Sequence, residues 1–123
     1  MPFMKIEDLE PVELVPGARA RTPYGERLML SYLEMDENTS IPAHSHPHEQ
    51  AGMVIKGQVE LTISEESRLC EPGDMFIIPP NTQHGAKAVN GPAVVLDVFS
   101  PVREDYAKLF NKYIPTQGDG ATG

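Results

Sequence analysis

Short apolar segments, each closed by glycine, proline or acidic residues and repeated along most of the chain, restrict the fold more than any other feature of these 123 residues. The segments are ERLMLSYLEM (26–35), SIPAHSH (40–46), QAGMVIKG (50–57), QVELTI (58–63), DMFIIPP (74–80), TQHGAKAV (82–89) and PAVVLDVFS (92–100). Between them stand Asp36-Glu37-Asn38, Lys56-Gly57, Glu65-Glu66-Ser67, Glu71-Pro72-Gly73 and Asn90-Gly91-Pro92. Apolar runs this short, punctuated this regularly, predict antiparallel strands in a sandwich or barrel. The 12 prolines and 10 glycines agree, because both residues interrupt long helices. A chain of this length has room for one core, so the expectation is a single all-β domain.

The two ends depart from this pattern. Val12 and Leu14 alternate ahead of Pro16-Gly17, which predicts an N-terminal arm or edge strand over 1–16 and a barrel over 17–100. After Ser100-Pro101 the period lengthens, and Tyr106, Leu109, Phe110 and Tyr113 recur at helical spacing. With Ser100 as N-cap and Pro101 in the first turn, a helix is predicted over 101–114, its aromatics packed on the barrel. The tail over 115–123 has nothing to bury and is expected to be mobile.

Charge and composition remove several classes of function. The formal net charge is −8 with Lys and Arg scattered, so a phosphate backbone would be repelled and no nucleic-acid partner is expected. No apolar run suits a signal peptide or a membrane span, and the single cysteine, Cys70, reads as a packing residue. The expectation is a cytoplasmic protein with no membrane partner.

The histidines carry the chemistry. His44 and His46 lie two apart in a predicted strand, where alternate side chains share a face. Gln50 opens the next strand and His84 opens another after IPPNTQ. Three neutral imidazole nitrogens and one amide oxygen make a ligand set for one divalent ion with positions left open. Such donors suit Zn, Ni, Fe, Mn or Co and do not choose among them. His48 follows Pro47, which disturbs the strand parity, so it reads as a residue behind the ligands or at the rim rather than a ligand.

A second constellation lies in PAVVLDVFS. Val95, Asp97 and Phe99 share one face, and Val94, Leu96 and Val98 the other. A carboxylate in so apolar a strand must find a partner or be held protonated by desolvation. Either an ion pair from Asp97 to Arg103 or a catalytic acid answers that requirement.

HSHPHEQAGMVIKG (44–57) resembles the first cupin motif, and GDMFIIPPNTQH (73–84) the second. Gln50 stands where that motif usually has Glu, Asn81 where the second usually has Gly, and Ala88 where it usually has Asn. The amide leaves the ligand set uncharged, which favours an anionic ligand on the ion's open positions. LDVFSPVREDY (96–106), with HSHPHEQ and the IPPN turn, is similar to the small pectin-degradation cupins of the KdgF type. That resemblance implies a jelly-roll barrel with one metal ion held by His44, His46, Gln50 and His84. It also implies conversion of unsaturated uronate monomers from pectin or alginate into linear keto-uronates. Asp97 and Arg103 would then be catalytic, and Phe99 and Arg103 would bind substrate. Two alternatives stay open: a non-catalytic sugar- or anion-binding cupin, and a cupin oxygenase or isomerase acting on another substrate. Because cupins commonly pair through strands, a homodimer joined by the face bearing Val94, Leu96 and Val98 is expected.

Overall fold

A computed structural model describes residues 3–109, and in them eight strands join in one antiparallel sheet that curls on itself. They are β1 (Val12–Val15), β2 (Ala18–Arg21), β3 (Met29–Met35), β4 (Ser40–His44), β5 (Glu49–Ile63), β6 (Glu66–Cys70), β7 (Met75–Ile78) and β8 (His84–Ser100). The hydrogen-bonded order is β1-β2-β3-β8-β5-β6, with β4 on β8 and β7 on β5. This is the jelly-roll barrel expected.

Alternation decides which face is inside. In β3, Met29, Ser31, Leu33 and Met35 are buried while Leu30 is exposed. In β8, Ala93, Val95, Asp97 and Phe99 point inward. The core gathers Ala18, Ala20, Leu33, Met35, Val54, Val59, Leu61, Cys70, Ala88, Ala93 and Val95. Each large aliphatic among them contributes about 1.5–3 kcal/mol through burial. Cys70 is a packing residue here, and burial pushes its thiol up.

Two expectations about segmentation change. QAGMVIKG and QVELTI form the single strand β5, and TQHGAKAV and PAVVLDVFS the single strand β8. Lys56-Gly57 and Asn90-Gly91 are bends shared by two paired strands rather than turns: Gly57 has φ +77 and Gly91 φ +128, and the register shifts between Val54 and Gln58. A β-carbon on Gly57 would fall on Pro92 O and the Ala93 backbone, so the bend requires glycine. β2 and β6 were not anticipated, because ARAR and ESRLC carry too few apolar residues to stand out.

The short helix α1 (Glu104–Leu109) starts later than residue 101. Ser100 is still paired with Glu49 in the ladder, so neither Ser100 nor Pro101 caps the helix, and the first helical bond runs from Ala107 N–H to Arg103 O, 2.9 Å. Phe110, Tyr113 and the tail lie outside the described residues. At the other end, a 3-10 turn at Ile6–Asp8 precedes the edge strand β1, and Leu9 O accepts from Arg21 Nε at 3.0 Å. Among the described residues no helix is long and apolar enough to cross a membrane.

Candidate metal centre and pocket

One end of the barrel brings together three ring nitrogens. His44 ends β4, His84 begins β8, and the two are cross-strand partners. His46 lies just past β4, in the connection to β5, rather than within a strand as the spacing predicted. Ligand atoms of His44, His46 and His84 all lie within 4.8 Å of one another. The turn before β8 is held to the first histidine segment by Asn81 N–H, which donates to His46 O at 2.7 Å. Asn81 has φ +62, a left-handed conformation that glycine adopts freely and asparagine tolerates.

Each ring has its tautomer set by a carbonyl two residues away. Nδ1 of His44 meets Pro42 O at 2.9 Å, that of His46 meets His48 O at 3.1 Å, and that of His84 meets Thr82 O at 2.8 Å. A carbonyl only accepts, so all three protons sit on Nδ1 and all three Nε2 lone pairs are bare. His84 Nε2 is buried with no partner among the described residues. His46 Nε2 faces Gln50 Oε1 at 3.2 Å, and with the proton on Nδ1 both are acceptors. Two lone pairs turned together are unfavourable unless a cation lies between them, and 3.2 Å suits two ligands of one ion with bonds of about 2.1 Å. The donor set therefore fits a divalent ion.

The pKa shifts agree with this. Burial, then the positive charges of Arg103 and His84, lowers His46 to about 4. Burial also lowers His84, against the hydrogen bond to Thr82. Both rings are neutral at pH 7 and free to ligate.

Gln50 is bifunctional. Its oxygen turns to His46, and its Nε2 donates to Asp97 Oδ1 at 3.1 Å. Asp97 is 5% exposed, and burial raises it to about 7, with Gln50 and Arg103 opposing. The carboxylate occupies space left by Gly52, its neighbour on β5: a β-carbon there would fall on Asp97 Oδ1 and the Phe76 ring. Its neighbour on β3 is Ser31, also buried and lining the cavity.

Arg103 does not pair with Asp97. Its Nε and Nη2 grip Asp105 at 3.2 and 2.7 Å, so the ion pair considered from sequence is absent and Asp97 has an amide partner instead. The Arg103 guanidinium carbon lies 3.8 Å from the Tyr106 ring centroid and 5.1 Å from that of Phe99. His44, Gln50, His84, Asp97, Phe99, Arg103 and Tyr106 line one cavity of about 60 Å³ that continues into the apolar core.

Sequence reasoning missed Ser31, Gly52 and Tyr106 as pocket residues. Ser31 was legible as the one hydroxyl on the inward parity of β3. Tyr106 was assigned to core packing, yet it lines the cavity. Nothing in the sequence marks Gly52. His48, expected behind the ligands or at the rim, is buried at 6% exposure: its carbonyl supports His46 and its Nε2 meets Glu104 at 3.0 Å.

Residues 31–99 match the model of the cupin domain. The pectin degradation protein KdgF of Dickeya dadantii is 29% identical over 84 residues, which are 68% of this chain and 76% of that protein. The H2HPP isomerase of Bacillus subtilis is 31% identical over 61 residues, 49% of this chain but 25% of that protein. The solved structure of KdgF from Halomonas sp. superposes with a TM-score of 0.79 at 31% identity, covering 85% of this chain and 96% of that one. With both histidine motifs inside the matched span, the chain belongs to the cupin family, as a cupin of the KdgF type.

Proposed function

We propose that this chain converts 4,5-unsaturated uronate monomers, the products of pectin or alginate lyases, into linear keto-uronates by ring opening and tautomerisation. The observation that carries the reading is Asp97: a buried carboxylic acid with a pKa of about 7, one amide away from the three histidines and in the same cavity as Arg103. An acid–base group near neutrality exists in both forms at working pH, as proton shuttling requires.

The substrate is a cyclic enol ether with a hemiacetal hydroxyl and a carboxylate conjugated to its double bond. Arg103 receives the carboxylate, and Phe99 packs against the ring and excludes water. Ionised Asp97 takes the proton of the hemiacetal hydroxyl as the carbonyl forms there and the bond to the ring oxygen breaks. The electrons leave on that oxygen as an enolate. Protonated Asp97 then returns the proton to the alkene carbon, the enolate becomes a ketone, and no atom is gained or lost. One divalent ion held by His44, His46, Gln50 and His84, whether Zn, Ni, Fe, Mn or Co, would supply Lewis-acid polarisation of substrate oxygens.

The test follows the ultraviolet absorbance of the conjugated double bond while metal-loaded protein is mixed with unsaturated galacturonate or an alginate-derived monomer. Absorbance is expected to fall, and the fall to vanish with chelator or in Asp97→Ala. No fall with any of these substrates refutes the reading, and saturable binding without it would assign a sensor instead.

The same reading includes a cytoplasmic homodimer. On the outer face, Leu30, Val98, Ala51 and Ile77 form one cross-strand row, and Tyr32, Leu96, Met53 and Met75 the next. Ile77 and Met75 are 66% and 78% exposed. An apolar area spanning four strands is what an isologous contact buries. Light scattering is expected to give twice the chain mass of 13.5 kDa. A mass of one chain refutes pairing.

A further inference from the structure

His48 is absent from the ligand cluster and unused by the chemistry above, yet it is 6% exposed and belongs to the same short connection as His46. Its backbone carbonyl accepts from His46 Nδ1–H, while its Nε2 lies 3.0 Å from Glu104 Oε1, 56 residues away in the first turn of α1. A carboxylate accepts, so Nε2 carries the proton and Nδ1 is bare. That Nδ1 is buried with no partner among the described residues. An imidazole kept for packing alone would not leave a buried nitrogen unpaired, so what this side chain contributes passes through Nε2. Among the described side chains, no other hydrogen bond ties α1 to the barrel.

The residue before Glu104 is Arg103. Its charge is buried, at 7% exposure, and is stabilised by Asp105 and by the rings of Phe99 and Tyr106. Asp105 and Tyr106 belong to α1, and only Phe99 belongs to the barrel. The guanidinium therefore goes where the first turn of α1 goes.

We propose that His48 is a positioning residue: by donating from Nε2 to Glu104 it latches α1 to the connection that carries His46, and so holds Arg103 over the pocket. This rests on the reading of Arg103 as the anchor of the substrate carboxylate. The latch makes the two halves of the site one unit, because the same residue orients a histidine ring through its carbonyl and the arginine through its side chain.

The test compares His48→Ala, Glu104→Ala, Glu104→Gln and the double alanine variant, all metal-loaded, with unsaturated galacturonate. Glu104 is 76% exposed, so its variants fold. Each alanine variant is expected to raise KM roughly tenfold with kcat within about threefold, the range for losing one charge-assisted hydrogen bond. The double variant is expected to be no worse than either single one, and Glu104→Gln, which keeps an accepting oxygen, to recover most of the affinity. Unchanged KM in Glu104→Ala, or additive losses in the double variant, overturns the proposal. Exchange of the Ala107 amide, bonded to Arg103 O, reads the latch without turnover: it should quicken in both alanine variants and not in Glu104→Gln. If wild type does not consume the sugar, the uronate reading fails alone and amide exchange decides the latch, unchanged exchange overturning it.

Discussion

Asp97→Asn is expected to make the metal-free protein more stable while abolishing its turnover. In the folded chain Asp97 binds its proton with a pKa of about 7, against an ordinary 3.8. Below pH 4 the acid is protonated in both states and costs nothing. Between pH 4 and 7 the unfolded chain ionises and the folded one does not, so stability falls as pH rises. Above pH 7 a full penalty remains, about 4 kcal/mol for a gap of roughly three pH units. Asparagine cannot ionise, and its oxygen can still accept from Gln50 Nε2. His46, lowered by burial to about 4, and His84, also lowered by burial, act in the opposite sense, since stability rises as pH climbs toward the usual histidine range. They are present in both proteins and cancel in the difference. Urea unfolding in chelator from pH 4 to 8 should therefore show Asp97→Asn within about 1 kcal/mol of wild type at pH 4 and ahead by about 2–4 kcal/mol at pH 8, roughly 10–20 °C in Tm. A difference that does not depend on pH, or a variant less stable at pH 8, refutes a carboxylic acid held protonated by burial.

Gly52→Ala puts a methyl group where the Asp97 carboxylate and the Phe76 ring stand, and calorimetry should show a loss of about 1–3 kcal/mol together with reduced turnover. Gln50→Glu places a second carboxylate where the amide now donates to Asp97 at 3.1 Å, so the pH optimum of turnover should move up and the rate at pH 7 should drop at least about tenfold. Removing the metal should lower Tm by roughly 10 °C or more, since an ion present at a thousand times its Kd adds about 4 kcal/mol. Calorimetry before and after chelation checks this.

The fold was legible because turn chemistry and inward parity are local. Ser31, Val95, Asp97 and Phe99 point inward as alternation requires. What local reading could not supply was which chain segment lies opposite which. Gly57 and Gly91 look like turns in sequence, and only the pairing of β5 with β8 reveals them as one shared bend. An ion pair from Asp97 to Arg103, six residues later, is one of the two readings the sequence leaves open. The first turn of α1 instead brings Asp105 to the guanidinium, and Asp97 is left to Gln50 across the sheet. The histidines were legible as a cluster because two motifs carry them, whereas the partner of His48 lies 56 residues away and leaves no local trace.

The charge of the pocket reconciles an acidic protein with the anionic substrate proposed above. The chain carries a net −8, which by itself would repel a uronate. Inside the cavity the negative charge is relieved: His46 and His84 are neutral, Gln50 contributes no charge, Asp97 with a pKa of about 7 is only partly ionised near neutrality, and Arg103, bridged to Asp105, is cationic. A glutamate at position 50 would cancel that cation and face Asp97 with a like charge. The amide avoids both effects while keeping an oxygen beside His46 and a donor beside Asp97. Of the three departures from the usual cupin motifs, Gln50 is thus the one that would let a buried acid and the proposed anionic sugar share the pocket.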